Sequence, residues 1–100
     1  MINQNQNVKF EIKGKVRIYS PTETEISIAK NWSTWTKEIS EFDWYYPENE
    51  KFYVVSGEVE VQLEDGSTFK IQSGDMVEFY KGVSCKWKVI KPILKHYTFF

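Results

Sequence analysis

The chain has one cysteine, Cys85, which excludes an internal disulfide. It has one histidine, His96, so a centre built on several imidazoles is excluded as well. No stretch approaches the roughly 20 apolar residues of a membrane span. The N-terminus lacks the apolar core of a secretion signal, and a cytoplasmic protein with no membrane partner is expected. No apolar pattern of period 3.6 runs beyond about ten residues, so a long helix is not expected either. Thirteen basic and fourteen acidic residues leave a formal charge of −1, and nothing in that balance favours nucleic acid. No internal repeat or linker is visible.

What is abundant is aromatic. Four Trp, six Tyr and seven Phe in 100 residues suit a sheet-rich protein with a single core. Residues 1–7 are Asn/Gln-rich and read as a frayed tail ahead of one domain over 8–100. Val8, Phe10 and Ile12 alternate with charged residues as a strand, Gly14 breaks it, and Val16 and Ile18 resume the parity. Thr22, with Glu25 three residues on, predicts a capping box and one short helical turn. From Trp32 onward the period is two. Trp35, Lys37 and Ile39 share one parity, and Phe42, Trp44 and Tyr46 share a face. Pro47 and Asn49 turn the chain. Glu50, Phe52 and Val54 share a face that Gly57 ends. Val59, Val61 and Leu63 alternate with Glu58, Glu60 and Gln62 as a half-buried strand. Asp65-Gly66 signals a two-residue hairpin, with Phe69 and Ile71 on the return strand. Turns at Ser73–Asp75 and Lys81-Gly82 bracket Val77 and Phe79. Cys85, Trp87 and Val89 alternate with lysines, and Pro92 opens a last strand to Phe100. Short strands with turns every eight to twelve residues mean a sandwich or barrel.

Charge is uneven along this pattern. Glu38–Asp65 holds nine acids and one lysine, whereas Lys81–Phe100 holds five lysines, His96 and no acid. Opposite signs meeting across outer sheet faces account for this most simply.

Two stretches resemble the paired motifs of the cupin superfamily. Glu50 is followed by six residues and Gly57. Gly74 is followed by five residues, Tyr80, one residue, Gly82, two residues and Cys85. The run Glu41–Tyr46, with Glu50 and Cys85–Val89, is similar to a family of small cupins of unknown function. That family is grouped with the cupin domains of ureidoglycine aminohydrolase and of ethanolamine utilisation. The resemblance implies an all-β jelly-roll barrel and often a dimer. It also implies that the family's metal-binding histidine positions fall on Trp44, Tyr46 and Cys85, leaving only Glu50 of four ligands. No metal or other cofactor is therefore expected.

Parity points Glu50 and Cys85 inward and close together, the two candidates for a catalytic role. Glu50 would act as ligand anchor or general acid/base, or else be a buried carboxylate held by Tyr46 or a backbone group. Cys85 would be a nucleophile only beside a base or cation. Trp44, Tyr46 and Trp87 line a cavity in one reading and fill it in another. The preferred expectation is a small-molecule site made of Trp44, Tyr46, Glu50, Cys85 and Trp87. The rivals are a metal-dependent enzyme of the ureidoglycine-aminohydrolase-like group and a filled barrel that oligomerises, with Val8–Ile12 extending a sheet across a homodimer. His96, Tyr53, Asp75 and Gly82 read as structural.

Overall fold

The structure, a computed structural model, describes residues 7–100. The tail expected at 1–7 therefore lies outside the described residues, except that Asn7 already opens the first strand. In chain order the elements are β1 (Asn7–Ile12), β2 (Val16–Ser20), α1 (Glu23–Ala29), β3 (Ser33–Lys37), β4 (Ser40–Tyr45), β5 (Glu50–Leu63), β6 (Thr68–Gln72), β7 (Met76–Phe79) and β8 (Ser84–Phe99). Every strand pairing is antiparallel. The fold is the expected all-β jelly roll.

Two long strands organise it. The first halves of β5 and the last halves of β8 belong to a layer ordered β1-β2-β7-β5-β8-β3. Beyond their midpoints, β5 pairs with β6 and β8 with β4, so the sheet folds over and both strands serve both layers. The expected breaks at Gly57 and Pro92 are corrected here: neither strand ends there. The β5–β8 register slips between Val54 and Val59, bulges that let both strands bend. Gly57 has φ +104°, and a Cβ on it would lie 2.3 Å from the Pro92 carbonyl oxygen. Glycine is there because two backbones touch, and Pro92 is tolerated because the ladder is already interrupted.

Turn chemistry sets the registers. The Leu63–Ser67 connection is a three-residue loop, not the two-residue one expected. Gly66 N–H donates to the Leu63 carbonyl at 3.0 Å and Leu63 N–H to the Ser67 carbonyl at 2.8 Å, a type I turn closed by a left-handed glycine. The capping box is present as expected: Thr22 Oγ1 accepts from Glu25 N–H, and the Glu25 carboxylate accepts from Thr22 N–H at 2.8 Å. Helix α1 runs seven residues, longer than the single turn expected, because Ala29 also packs on Tyr19 and Met76 outside the barrel.

Burial follows the alternation. Val16, Ile18, Phe52, Val54, Val59, Val61, Ile71, Val77 and Phe79 are fully buried in one core. Ile39, placed with Trp35 by parity, lies outside any strand and is exposed. The acid-rich and lysine-rich segments meet as cross-strand neighbours on outer faces: Lys88 lies between Glu41 and Glu60, and Lys86 between Asp43 and Gln62. Strand β1 pairs with β2 of its own chain and ends the sheet.

Candidate functional site

Glu50 is the first residue of β5, with Phe79 and Phe99 as its lateral neighbours. The preceding Asn49 fixes this start: its side-chain oxygen accepts from Lys81 N–H at 2.8 Å and its carbonyl from Phe100 N–H at 3.0 Å. Glu50 is 6% exposed. Its partner is neither Tyr46 nor a backbone group, as the sequence suggested, but Lys95, whose Nζ donates to Glu50 Oε2 at 2.8 Å.

Lys95 lies on β8 between Trp35 and Val54 and is 5% exposed. Lysine is almost never buried without a partner, and here the surroundings supply several. Its ammonium sits 4.0 Å from the Phe52 ring centroid, 4.8 Å from Trp35, 5.0 Å from Trp87 and 5.9 Å from Tyr97. Carboxylate on one side and aromatic faces on the others compensate the loss of water. Burial pushes the Lys95 pKa down, and Glu50 opposes that shift by charge and hydrogen bond.

A pocket of about 270 Å³ opens onto this pair, walled by Trp35, Trp44, Tyr97 and Phe99. Trp44 is 41% exposed and stands at the rim. Of the five expected ligand-binding residues, the pocket takes in Trp44 and Glu50. Tyr46 and Trp87 fill the interior instead, each about 1% exposed. Tyr46 stacks on Phe79 at 4.3 Å, and Trp87 stacks on Phe42 and meets Trp35 edge-on. Tyr46, Phe52, Phe69, Phe79 and Trp87 are buried together in the core, so side chains fill the interior as a plug and the pocket lies at its mouth.

Cys85 is buried, as its parity predicts, but lines a different and shallower hollow of about 660 Å³ beside exposed Asp43, Tyr45, Gln62 and Lys86. Burial raises its thiol pKa to about 11, and Asp43 adds to the rise. His96 is no base for it: His96 Nδ1 lies 3.2 Å from the Trp32 carbonyl. A neutral thiol without a base is a poor nucleophile. Tyr46 lies within electrostatic reach of both Glu50 and Cys85. Burial first, then the Glu50 carboxylate, hold its phenol well above the ordinary tyrosine range. Tyr46 Oη and Trp87 Nε1 are both buried and have no hydrogen-bond partner among the described residues.

These side chains do not fit a divalent metal. Trp44 has no lone pair to offer, Tyr46 and Cys85 are held in their protonated forms, and Glu50 is engaged by an ammonium. Among the described residues no group of three or more His, Cys, Asp or Glu side chains converges. Sequence reasoning missed Lys95, although it lies on the odd parity of Cys85, Trp87, Val89 and Ile93, which is interrupted at exposed Lys91. A buried Glu50 in search of a cation pointed the same way.

A second buried acid, Glu78, is already satisfied by Tyr80 at 2.8 Å, Lys51 at 3.2 Å and Tyr19 at 3.4 Å. Asp75 accepts from Gln72 N–H at 2.9 Å and pairs with Lys9. Both are structural. No helix among the described residues is long and apolar enough to cross a membrane.

Comparison with known proteins agrees with the fold. The family model for the EutQ-like cupin domain matches residues 24–97. A DUF861 family protein from Thermotoga maritima is 46% identical over 86% of this chain and all of its own, with a TM-score of 0.83. A DUF861 family protein of unknown function from Pseudomonas syringae is 23% identical over 85% of this chain and 31% of its own, at 0.62. A putative ethanolamine utilization protein Q from Salmonella typhimurium is 19% identical over 91% of this chain and 76% of its own, at 0.60; the last two likenesses show the fold alone. The comparison with curated proteins returned no match. The chain is a member of the EutQ-like cupin family.

Proposed function

We propose that this cupin binds a small organic molecule at the barrel mouth without a metal, using the Glu50–Lys95 pair to read the ligand's polar group. The observation that carries this is a buried ion pair at the floor of an aromatic pocket of about 270 Å³. Such a pocket follows the usual pattern of apolar walls with a few convergent polar groups. Only one Glu50 oxygen is engaged by Lys95. The other is free to accept from a ligand donor, while Trp44 and Phe99 cover its apolar part. The pair is net neutral, which favours a neutral or zwitterionic ligand over a plain cation. A reduced buried thiol at Cys85 suits a cytoplasmic setting.

The test is a small-molecule screen read by thermal shift, followed by titration monitored through tryptophan fluorescence. Hits are expected to weaken with Trp44→Ala and to be insensitive to chelators. Elemental analysis showing about one metal ion per chain, lost on Glu50→Gln, would refute the metal-free reading.

A second reading has its own support. Phe99 and Phe100 stay about half exposed beside the pocket, and a second copy of the chain covering that rim would form a homodimer. Sedimentation at micromolar concentration, with and without Phe100→Ser, distinguishes the two.

A further inference from the structure

We propose that Lys95 captures carbonyl compounds: its Nζ forms a reversible imine with a small apolar aldehyde or ketone held in the mouth pocket, and Glu50 carries the protons. This rests on the pocket reading above and adds covalent chemistry to it.

Three observations lead there. Nucleophile and proton carrier are already in contact, Nζ to Oε2 at 2.8 Å, the arrangement that activation of an amine requires. Both line the same pocket, so a ligand carbonyl seated among Trp35, Trp44, Tyr97 and Phe99 meets the nitrogen directly. Lys95 is also the one buried lysine of twelve. In a dry site, moving a proton from Nζ to Glu50 replaces two buried charges by none. The amine is thus released at far lower cost than from a hydrated lysine. Cys85 offers no competition, since it lies outside the pocket and remains a thiol.

The steps balance without an oxidant or reductant. Nζ gives a proton to Glu50, and its lone pair adds to the carbonyl carbon. The former carbonyl oxygen takes the proton from Glu50, and the nitrogen returns one to it, leaving a neutral carbinolamine. Glu50 then protonates the hydroxyl, which leaves as water while the C=N bond forms. One ammonium and one aldehyde give one iminium and one water, and the iminium stays paired with the Glu50 carboxylate. The new cation occupies the place of the old one, among the same rings.

The experiment treats the whole protein with benzaldehyde and sodium cyanoborohydride near neutral pH and locates benzylated lysines by peptide mass spectrometry. Lys95 is expected to be labelled at least about tenfold faster than any of the other eleven lysines, because only it shares a pocket with its proton carrier and the bound carbonyl. Glu50→Gln is expected to slow that labelling, and Lys95→Arg to abolish the fast site while the surface background persists. Benzyl alcohol, of similar shape but without a carbonyl, is titrated in parallel by tryptophan fluorescence. If it binds while Lys95 labels no faster than the surface lysines, the imine is overturned and the pocket stands. If it does not bind and Lys95 is unlabelled, both fail.

Discussion

The Glu50–Lys95 pair makes a quantitative claim about stability. Both side chains are almost wholly buried, at 8% and 6% exposure, so screening by water does not dilute their interaction. Consider Glu50→Gln, Lys95→Met and the double variant. Removing one partner strands the other charge in the core, which generally costs about 3–5 kcal/mol. A stranded group can escape by changing its protonation. For an ordinary glutamate at pH 7 that escape caps the penalty near ~3.7 kcal/mol, and for an ordinary lysine near ~4.6 kcal/mol. Glu50→Gln is therefore expected to lose about 2.5–4.5 kcal/mol and Lys95→Met about 2.5–3.5 kcal/mol. For a domain of this size, that is a fall in Tm of roughly 10–30 °C. The double variant strands nothing. Methionine keeps the lysine's shape among Phe52, Trp35 and Trp87, and it is expected to lie within about 1.5 kcal/mol of the parent, or above it. Urea denaturation of all four proteins at pH 7 gives a coupling energy of at least about 3 kcal/mol. Single-variant losses below about 1 kcal/mol, or additive losses, would mean that the pair is hydrated and would refute the dry-site reasoning.

Three further outcomes follow from the same structure. Trp44→Ala is expected to cost about 2 kcal/mol or less, because the ring is a half-exposed rim residue, whereas Trp87→Ala, in the plug, costs about 3–5 kcal/mol; equal losses in denaturation would contradict the division into plug and mouth. Gly57→Ala drives a Cβ into the Pro92 carbonyl at a positive φ and is expected to lose at least the upper part of about 1–3 kcal/mol, seen as a lower denaturation midpoint. Alkylation of Cys85 by iodoacetamide at pH 8 should be far slower than in urea. With a thiol pKa raised to about 11, Cys85 stabilises the fold fully below about pH 9 and progressively less as pH rises through 11; rapid labelling of the native protein at pH 8 would contradict this.

Much of the fold was legible because short-range rules and tertiary packing agree over most of the chain. Val59, Val61 and Leu63 alternate as a strand and are buried as one, and Thr22 and Glu25 cap the helix they mark. The disagreements have physical causes. Gly57 and Pro92 are local signals for a turn, yet both are required by a close crossing of two bent strands that are distant in sequence. No window along the chain contains both. The candidate site was half legible. Glu50 and Trp44 emerged from motif spacing and parity, but Tyr46 and Trp87 differ from Trp44 only in how deep the strand carries them, which alternation does not encode. Lys95 stayed hidden because a lysine in a basic segment ordinarily faces solvent; only its counter-charge, on another strand, draws it inward.

The shared membership of β5 and β8 in both layers also bears on how the molecule assembles. Their pairing spans Leu63–Cys85, near the β5–β6 hairpin, to Glu50–Phe99 at the far end. Closing the first contact loops a modest stretch of chain, and each later pair encloses a longer one, so the ladder is cheapest to build in that direction. The zipper therefore reaches Glu50 and the last strand residues at its end, after crossing the bulge at Gly57. The mouth pocket, which takes in Glu50, Lys95 and Phe99, lies at the end of the ladder that is cheapest to close last.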